Sequence, residues 1–185
     1  MSSKITMVTG GARSGKSSFS EQLAKEFGEK ILYLATSIAF DEEMKKRIKE
    51  HKKNRPSYWK THEGYKDLHK ALKKDTYDGV LLDCITVMIS NLLLYNSDFN
   101  EDSIEIEVLD DIEDQIVKQV NFLIDTAIEV NTNLILVTNE VGSGIVPEHK
   151  LGRVFRDMAG RINQIIAKRA DEVYLVVSSI PVKIK

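Results

Sequence analysis

Apolar and polar positions fall into short blocks along this chain, and the repeat changes from block to block. Lys4–Thr9 (KITMVT) is a β-branched run closing on Gly10-Gly11, which reads as a buried strand. Phe19, Leu23 and Phe27 then recur every four residues and predict a helix over Ser17–Phe27, stopped at Gly28. Lys30–Ala35 (KILYLA) reads as a second strand. Asp41–Lys53 is strongly charged, with Met44 and Ile48 four apart, and reads as a partly exposed helix. Arg55-Pro56 ends it, because proline disfavours helix in the residue before it. Asp67–Lys74 reads as a short helix with Leu68, Ala71 and Leu72 on one side.

Gly79–Leu82 (GVLL) is an apolar strand with Asp83 at its tip, followed by an apolar helical stretch, Thr86–Tyr95. Within Asp98–Val130, Leu109, Ile112, Ile116, Val120, Leu123, Ala127 and Val130 keep a spacing of three or four, the mark of a long amphipathic helix. Asn133–Thr138 (NLILVT) is another strand, and the loop Asn139–Pro147 carries Gly142, Gly144 and Pro147. Leu151–Arg169 reads as a helix with Val154, Met158, Ile162 and Ile165 on one face. Glu172–Val177 (EVYLVV) is the last clear strand, and Pro181–Lys185 reads as a short extended tail. Strands alternating with helices predict an α/β sandwich around a mostly parallel sheet.

Composition narrows the class. At 185 residues, with 42% hydrophobic and 29% charged positions, the chain fits a single domain spanning residues 1–185. Twenty-six basic residues against 28 acidic give a net charge of −2, which argues against a dedicated nucleic-acid binder. The single cysteine, Cys84, excludes an intrachain disulfide framework and a Cys-rich zinc site. No apolar run approaches the ~18–20 residues of a membrane span. The apolar stretch at the N-terminus runs straight into glycines and is too short for a signal peptide, so a soluble, cytoplasmic protein is expected.

The first candidate chemistry is Gly10-Gly11-Ala12-Arg13-Ser14-Gly15-Lys16-Ser17, which fits G-x-x-x-x-G-K-[ST]. A strand precedes it and a helix begins inside it, as a phosphate loop requires. Its glycines let backbone N–H groups turn toward phosphate oxygens, and the helix N-terminus adds a positive dipole end. Lys16 would reach the β and γ phosphates and the Ser17 hydroxyl would ligate Mg2+. The alternative is a glycine turn that binds nothing, and the flanking strand and helix disfavour it. Asp83 closes GVLLD in the manner of a Walker B acid, suited to holding Mg2+ directly or through water. An acid there would otherwise cap the next helix. A switch GTPase would read its base with Asn-Lys-x-Asp, which Thr138-Asn139-Glu140-Val141 does not match.

Charge is unevenly distributed. Lys45, Lys46, Arg47, Lys49, Lys52, Lys53, Arg55 and Lys60 surround His51, with Glu50 the one acid among them. Such a run is ordinarily a solvated helix face. A histidine among cations has its pKa pushed down, which keeps it neutral and nucleophilic, and the same cations would neutralise a triphosphate. Covalent nucleotidyl transfer through His51 is therefore chemically open, though spacing alone does not select it. Asp98–Asp114 holds nine acids and no base, which reads as acids near a helix start complementing its dipole. Cys84 reads as a packed side chain rather than a reactive one.

Taken as a set, these residues are familiar. GGARSGKS at Gly10–Ser17, Asp41-Glu42-Glu43-Met44 with Arg47-Ile48 and His51, and Arg55-Pro56 through Trp59 to Thr61 and Glu63 form one ordered pattern. Leu81-Leu82-Asp83-Cys84 with Ser90-Asn91-Leu92, Asn139-Glu140-Val141-Gly142 with Gly144-Ile145-Val146-Pro147, Phe155-Arg156-Asp157 with Ala159-Gly160-Arg161 and Asn163-Gln164, and Ala170-Asp171-Glu172-Val173 continue it. The chain resembles the bifunctional adenosylcobinamide kinase/adenosylcobinamide-phosphate guanylyltransferase family of cobalamin biosynthesis, from about Thr9 to the C-terminus.

The resemblance implies a RecA-like P-loop NTPase fold, a three-layer sandwich, and typically a homotrimer. It implies phosphorylation of adenosylcobinamide by ATP or GTP, then transfer of GMP from GTP to the phosphate product with loss of pyrophosphate. The family's histidine lies in R-I-x-x-H, and His51 matches it as the residue that carries GMP. Gly10, Gly11, Ala12, Arg13, Ser14, Gly15, Lys16 and Ser17 fall at the phosphate positions. Ala35, Thr36 and Ser37 match a nucleotide-contacting stretch, and Lys52, Lys53, Asn54, Arg55 and Glu63 match guanine-nucleotide contacts. Asp83 and Ser17 fall at the Mg2+ positions. Glu140 is either a second carboxylate of the site or the residue that orients the glycine loop. Ser179 stands where glycine is expected, in a turn that touches no predicted chemistry, and His62 is a neighbour rather than the nucleophile. The competing readings are a small-molecule kinase whose transferase half is lost, against the intact His51 segment, and a nucleic-acid-dependent ATPase, against the net charge.

Overall fold

The computed structural model describes residues 3–38, 42, 45, 49, 55–100 and 105–185. The chain order is β1 (Ile5–Thr9), α1 (Lys16–Phe27), β2 (Ile31–Ala35), β3 (Lys60–Glu63), α2 (His69–Leu72), β4 (Gly79–Asp83), α3 (Ile85–Leu94), α4 (Ile106–Glu129), β5 (Asn133–Val137), α5 (Lys150–Arg169), β6 (Glu172–Val177) and β7 (Ile180–Lys183). The strands form one seven-stranded sheet in the order β3-β2-β4-β5-β1-β6-β7. All neighbours are parallel except β6 and β7, which pair antiparallel.

Both faces of the sheet are covered, which is why its strands read as near-continuous apolar runs. Val8, Ile31, Tyr33, Leu81, Ile135, Val137 and Val176 face the side holding Ala24 of α1, with Trp59. Met7, Leu32, Leu34, Val80, Leu82, Leu134 and Leu136 face the other, where Leu72, Ile89, Ile116, Leu123 and Ile162 come from α2 to α5. Alternate residues of one strand thus feed two separate cores. Each fully buried Leu or Ile side chain contributes about 1.5–3 kcal/mol. The result is an α/β three-layer sandwich around a mostly parallel sheet, with β5 between the phosphate-loop strand β1 and the acid-tipped strand β4.

Two elements differ from expectation. β3 (KTHE) has no apolar run to announce it, because as an edge strand most of it is exposed. The C-terminal tail is a true strand: Ser178 and Ser179 adopt φ of 51° and 66°, and the turn folds β7 back onto β6. A turn with left-handed φ at both central residues ordinarily signals itself by Asn-Gly or Gly-Gly, so Ser-Ser hid it. The helix expected over Asp41–Lys53 falls mostly outside the described residues. No helix among the described residues is long and apolar enough to cross a membrane.

Candidate nucleotide site

Six parallel strands end along one edge of the sheet, and the segments beyond the tips of five of them, β1 to β5, converge on a cavity of about 1050 Å³. After β1 the backbone turns sharply. Arg13 and Gly15 take left-handed φ of 57° and 94°. At Gly10 a Cβ would lie 2.5 Å from the Val176 carbonyl oxygen and 2.6 Å from Ser14 Oγ, so no side chain fits. The Glu140 amide donates to Gly10 O (3.0 Å) and the Ser179 amide to Ser14 O (2.7 Å), bracing the loop from β5 and from the β6–β7 turn. Ser179 therefore does touch the predicted chemistry, and its Cα sits where a Gly15 Cβ would come within 2.9 Å.

α1 starts from this loop with no acid in its first turn and no side-chain cap. Its first amides and its dipole are thus left for an anion. The Lys16 ammonium folds back and donates to Gly11 O at 3.0 Å, which places a buried cation across the loop mouth.

Asp83 faces this loop across the cavity. The Tyr33 hydroxyl, from β2, donates to Asp83 Oδ2 at 3.0 Å. Burial, then the charge of Asp83, raises the Tyr33 pKa, so the phenol stays protonated as a donor. Arg55 lies flat on the Tyr33 ring, its guanidinium carbon 3.2 Å from the centroid. Glu21, on α1, is held above the ordinary carboxylate range by burial and then by the charge of Asp83, with Arg55 and Lys25 opposing.

Beside Asp83, a buried hydrogen-bond net locks the strand tips. Thr36 Oγ1 donates to Cys84 O (2.8 Å) and accepts from the Cys84 amide (2.9 Å), while Asn91 Nδ2 donates to Thr36 O (2.7 Å). Asn139 Nδ2 donates to Thr86 Oγ1 at 2.6 Å. Burial, then the charge of Asp83, pushes the Cys84 thiol up to about 11, so it is a packed group at neutral pH. Glu140 Oε1 accepts from the amides of Gly142 (2.6 Å) and Ser143 (3.0 Å) and from Ser143 Oγ (3.2 Å). This carboxylate orients the glycine loop.

Of the residues named from sequence, Ala12, Arg13, Ser14, Gly15, Lys16, Ser17, Ala35, Ser37, Arg55, Glu63 and Asp83 line this one cavity. Gly10 and Gly11 shape the turn behind it. Thr36 is fully buried with its hydroxyl taken up by Cys84. His51, Lys52, Lys53 and Asn54 lie outside the described residues. Tyr33 carries no motif in the sequence, although its place two residues before Ala35, which pairs with Asp83, puts it on the cavity side of β2. The acidic stretch has a further use: Glu113 of α4 accepts a two-pronged hydrogen bond from Arg161 of α5, both arms 2.6 Å.

A glycine-braced loop between a parallel strand and its helix, facing an acid-tipped strand, defines a P-loop nucleotide-binding enzyme. The family model described as cobinamide kinase / cobinamide phosphate guanyltransferase matches residues 6–184. The bifunctional adenosylcobalamin biosynthesis protein CobU of Salmonella typhimurium is 46% identical over 188 residues, covering 98% of this chain and 99% of the relative. Its Escherichia coli counterpart is 44% identical over 184 residues, with the same coverage. A KaiC-like protein from Pyrococcus horikoshii superposes with a TM-score of 0.49 at 14% identity, over 94% of this chain and 72% of that one. The chain belongs to the cobinamide kinase / cobinamide phosphate guanyltransferase family and is a bifunctional enzyme of that family.

Proposed function

We propose that the enzyme phosphorylates adenosylcobinamide with ATP or GTP and then transfers GMP from GTP to adenosylcobinamide phosphate through a GMP–histidine intermediate on His51. The observation that carries this reading is the shared cavity. The phosphate loop, Asp83, Glu63 and Arg55 all line it, and Arg55 comes four residues after His51.

In the first step Lys16 and the amides that open α1 hold the donor's β and γ phosphates while the acceptor hydroxyl attacks the γ phosphorus, the bond from that phosphorus to the β–γ bridging oxygen breaks, and the nucleoside diphosphate leaves as the hydroxyl gives up its proton. In the second, an imidazole nitrogen of His51 attacks the α phosphorus of GTP, the bond to the β-phosphate oxygen breaks, and pyrophosphate leaves. A phosphate oxygen of adenosylcobinamide phosphate then displaces the histidine, giving adenosylcobinamide-GDP.

The donor set suits Mg2+. Ser17 and Asp83 offer one hydroxyl and one carboxylate in the cavity, and no group of three or more His, Cys, Asp or Glu able to hold a metal occurs among the described residues. Mg2+ characteristically takes one or two such ligands together with substrate phosphates and water, and it neutralises charge on the phosphates when bound. The same reading includes a cytoplasmic setting and a homotrimer. Ile180 and Val182 on the outermost strand and Ile184 just after it, at 65%, 48% and 60% exposure, are an apolar stripe suited to subunit contact.

Protein incubated with GTP labelled at the α-phosphate and then denatured is expected to keep acid-labile, base-stable label. His51→Ala is expected to carry none, and persistent label there overturns the nucleophile. Lys16→Ala is expected to lower phosphate transfer to adenosylcobinamide by roughly 10²-fold or more. Unchanged transfer would refute the role of the loop.

A further inference from the structure

Tyr33 occupies a junction that the two reactions do not by themselves explain. It is 2% exposed, yet both its hydroxyl and its ring meet charged groups of the cavity. The hydroxyl takes Asp83 Oδ2 at 3.0 Å, across fifty residues of sequence. The ring face carries Arg55, and Arg55 Nη1 donates to Thr61 Oγ1 at 3.0 Å on β3. Thr61 is itself the registered partner of Tyr33. Arg55 Nε is buried without a hydrogen-bond partner. The Tyr33 ring and Thr61 Oγ1 orient this guanidinium.

We propose that Tyr33 is a positioning residue with two separable jobs: its hydroxyl fixes the Asp83 carboxylate for the cation–nucleotide complex, and its ring seats Arg55 for guanylyl transfer. The hydroxyl engages Oδ2, so one orientation of the carboxylate is selected and Oδ1 is kept for ligation. Hydrogen-bond partners of metal ligands act in this way, and losing one typically costs about 10–100-fold in metal affinity. The ring does for Arg55 what the hydroxyl does for Asp83. Arg55 comes four residues after His51 in the sequence, and its seat on Tyr33 lies beside the tip of β4. A single side chain on β2 thus keeps the two reactions in register. The inference rests on the reading of Asp83 as the Mg2+ carboxylate.

The test separates hydroxyl from ring. The affinity of a fluorescent, non-hydrolysable GTP analogue is measured with and without Mg2+ in wild type, Tyr33→Phe and Asp83→Asn. Tyr33→Phe is expected to reduce the tightening produced by subsaturating Mg2+ by about tenfold, with Mg2+-free affinity unchanged, which also shows that the variant is folded. Its α-labelled GMP incorporation is expected to recover as Mg2+ is raised to saturation. Tyr33→Leu, which removes the ring as well, loses that incorporation at saturating Mg2+. If Tyr33→Phe keeps the full Mg2+ response while Asp83→Asn loses it, the role of the hydroxyl is overturned. If Asp83→Asn also keeps the response, the assignment of Asp83 fails, and the inference fails with it. Equal loss of label in Tyr33→Phe and Tyr33→Leu at saturating Mg2+ overturns the separation of the two jobs. The Tyr33→Phe arm decides the metal half by itself should Tyr33→Leu fail to bind nucleotide.

Discussion

Thr36 is the residue at which family likeness and geometry diverge. Its place after β2 matches a nucleotide-contacting stretch, yet its hydroxyl sits between the amide and the carbonyl of Cys84, fully buried. This hydroxyl holds the tip of β4 at Cys84, directly after Asp83. Thr36→Val keeps the shape but leaves the Cys84 amide without its acceptor, an unmet buried donor worth about 1–3 kcal/mol. Urea denaturation is expected to show that loss for Thr36→Val and much less for Thr36→Ser, with Mg2+-free nucleotide affinity nearly unchanged in Thr36→Ser. A large affinity loss in Thr36→Ser without loss of stability would make Thr36 a ligand contact after all. Gly10, Gly15, Lys16 and Asp83 were legible from sequence because a phosphate loop is contiguous and its acid ends an apolar strand. Tyr33 was hidden because its partner lies fifty residues away, and only the pairing of β2 with β4 brings them together.

Elements were legible where burial is one-sided or complete, and hidden where it is absent. α4 and α5 carry their period because one stripe of each faces the core. β3 and β7 carry little, since both lie at the edges of the sheet. The bonds that hold the β6–β7 hairpin are partly ionic. The Glu172 carboxylate receives Lys183 at 2.6 Å, Lys4 at 2.7 Å and the Tyr174 hydroxyl at 3.1 Å, tying the start of β1 to the last strand. These donors, Lys183 foremost and then Lys4, lower its pKa from 4.5 to about 2. A depressed folded-state value means that the unfolded chain binds the proton first as pH falls. Its stabilising contribution is therefore full above about pH 4.5 and lost as pH falls toward about 2. Urea melts of wild type and Glu172→Gln are expected to differ most at neutral pH and to converge through that window. A difference that stays constant from pH 7 to 2 would refute the ion-pair account.

At the scale of the molecule, the sheet order places β1, with its phosphate loop, two strands from Asp83 and leaves β5 between them. That spacing opens the cavity, and the loop after β5 then supplies Asn139 and Glu140 to its wall. No local pattern specifies such an order; it comes from which edges find partners once the helices have covered both faces. The two cores lie on opposite faces of one sheet and share every central strand, so neither survives loss of the other. The chain is accordingly expected to unfold as one cooperative unit. Trp59, the sole tryptophan, packs with the α1-side core, whereas most of the helical signal comes from α4 and α5 on the opposite face. Tryptophan fluorescence and far-ultraviolet circular dichroism should therefore trace the same urea transition. Separate midpoints would divide the chain into independently stable parts and contradict a single domain over residues 1–185. If the stripe on β7 is a subunit contact, the shared midpoint rises with protein concentration, because association stabilises only the folded chain. A midpoint independent of concentration over a hundredfold range would count against the trimer while leaving the single cooperative unit intact.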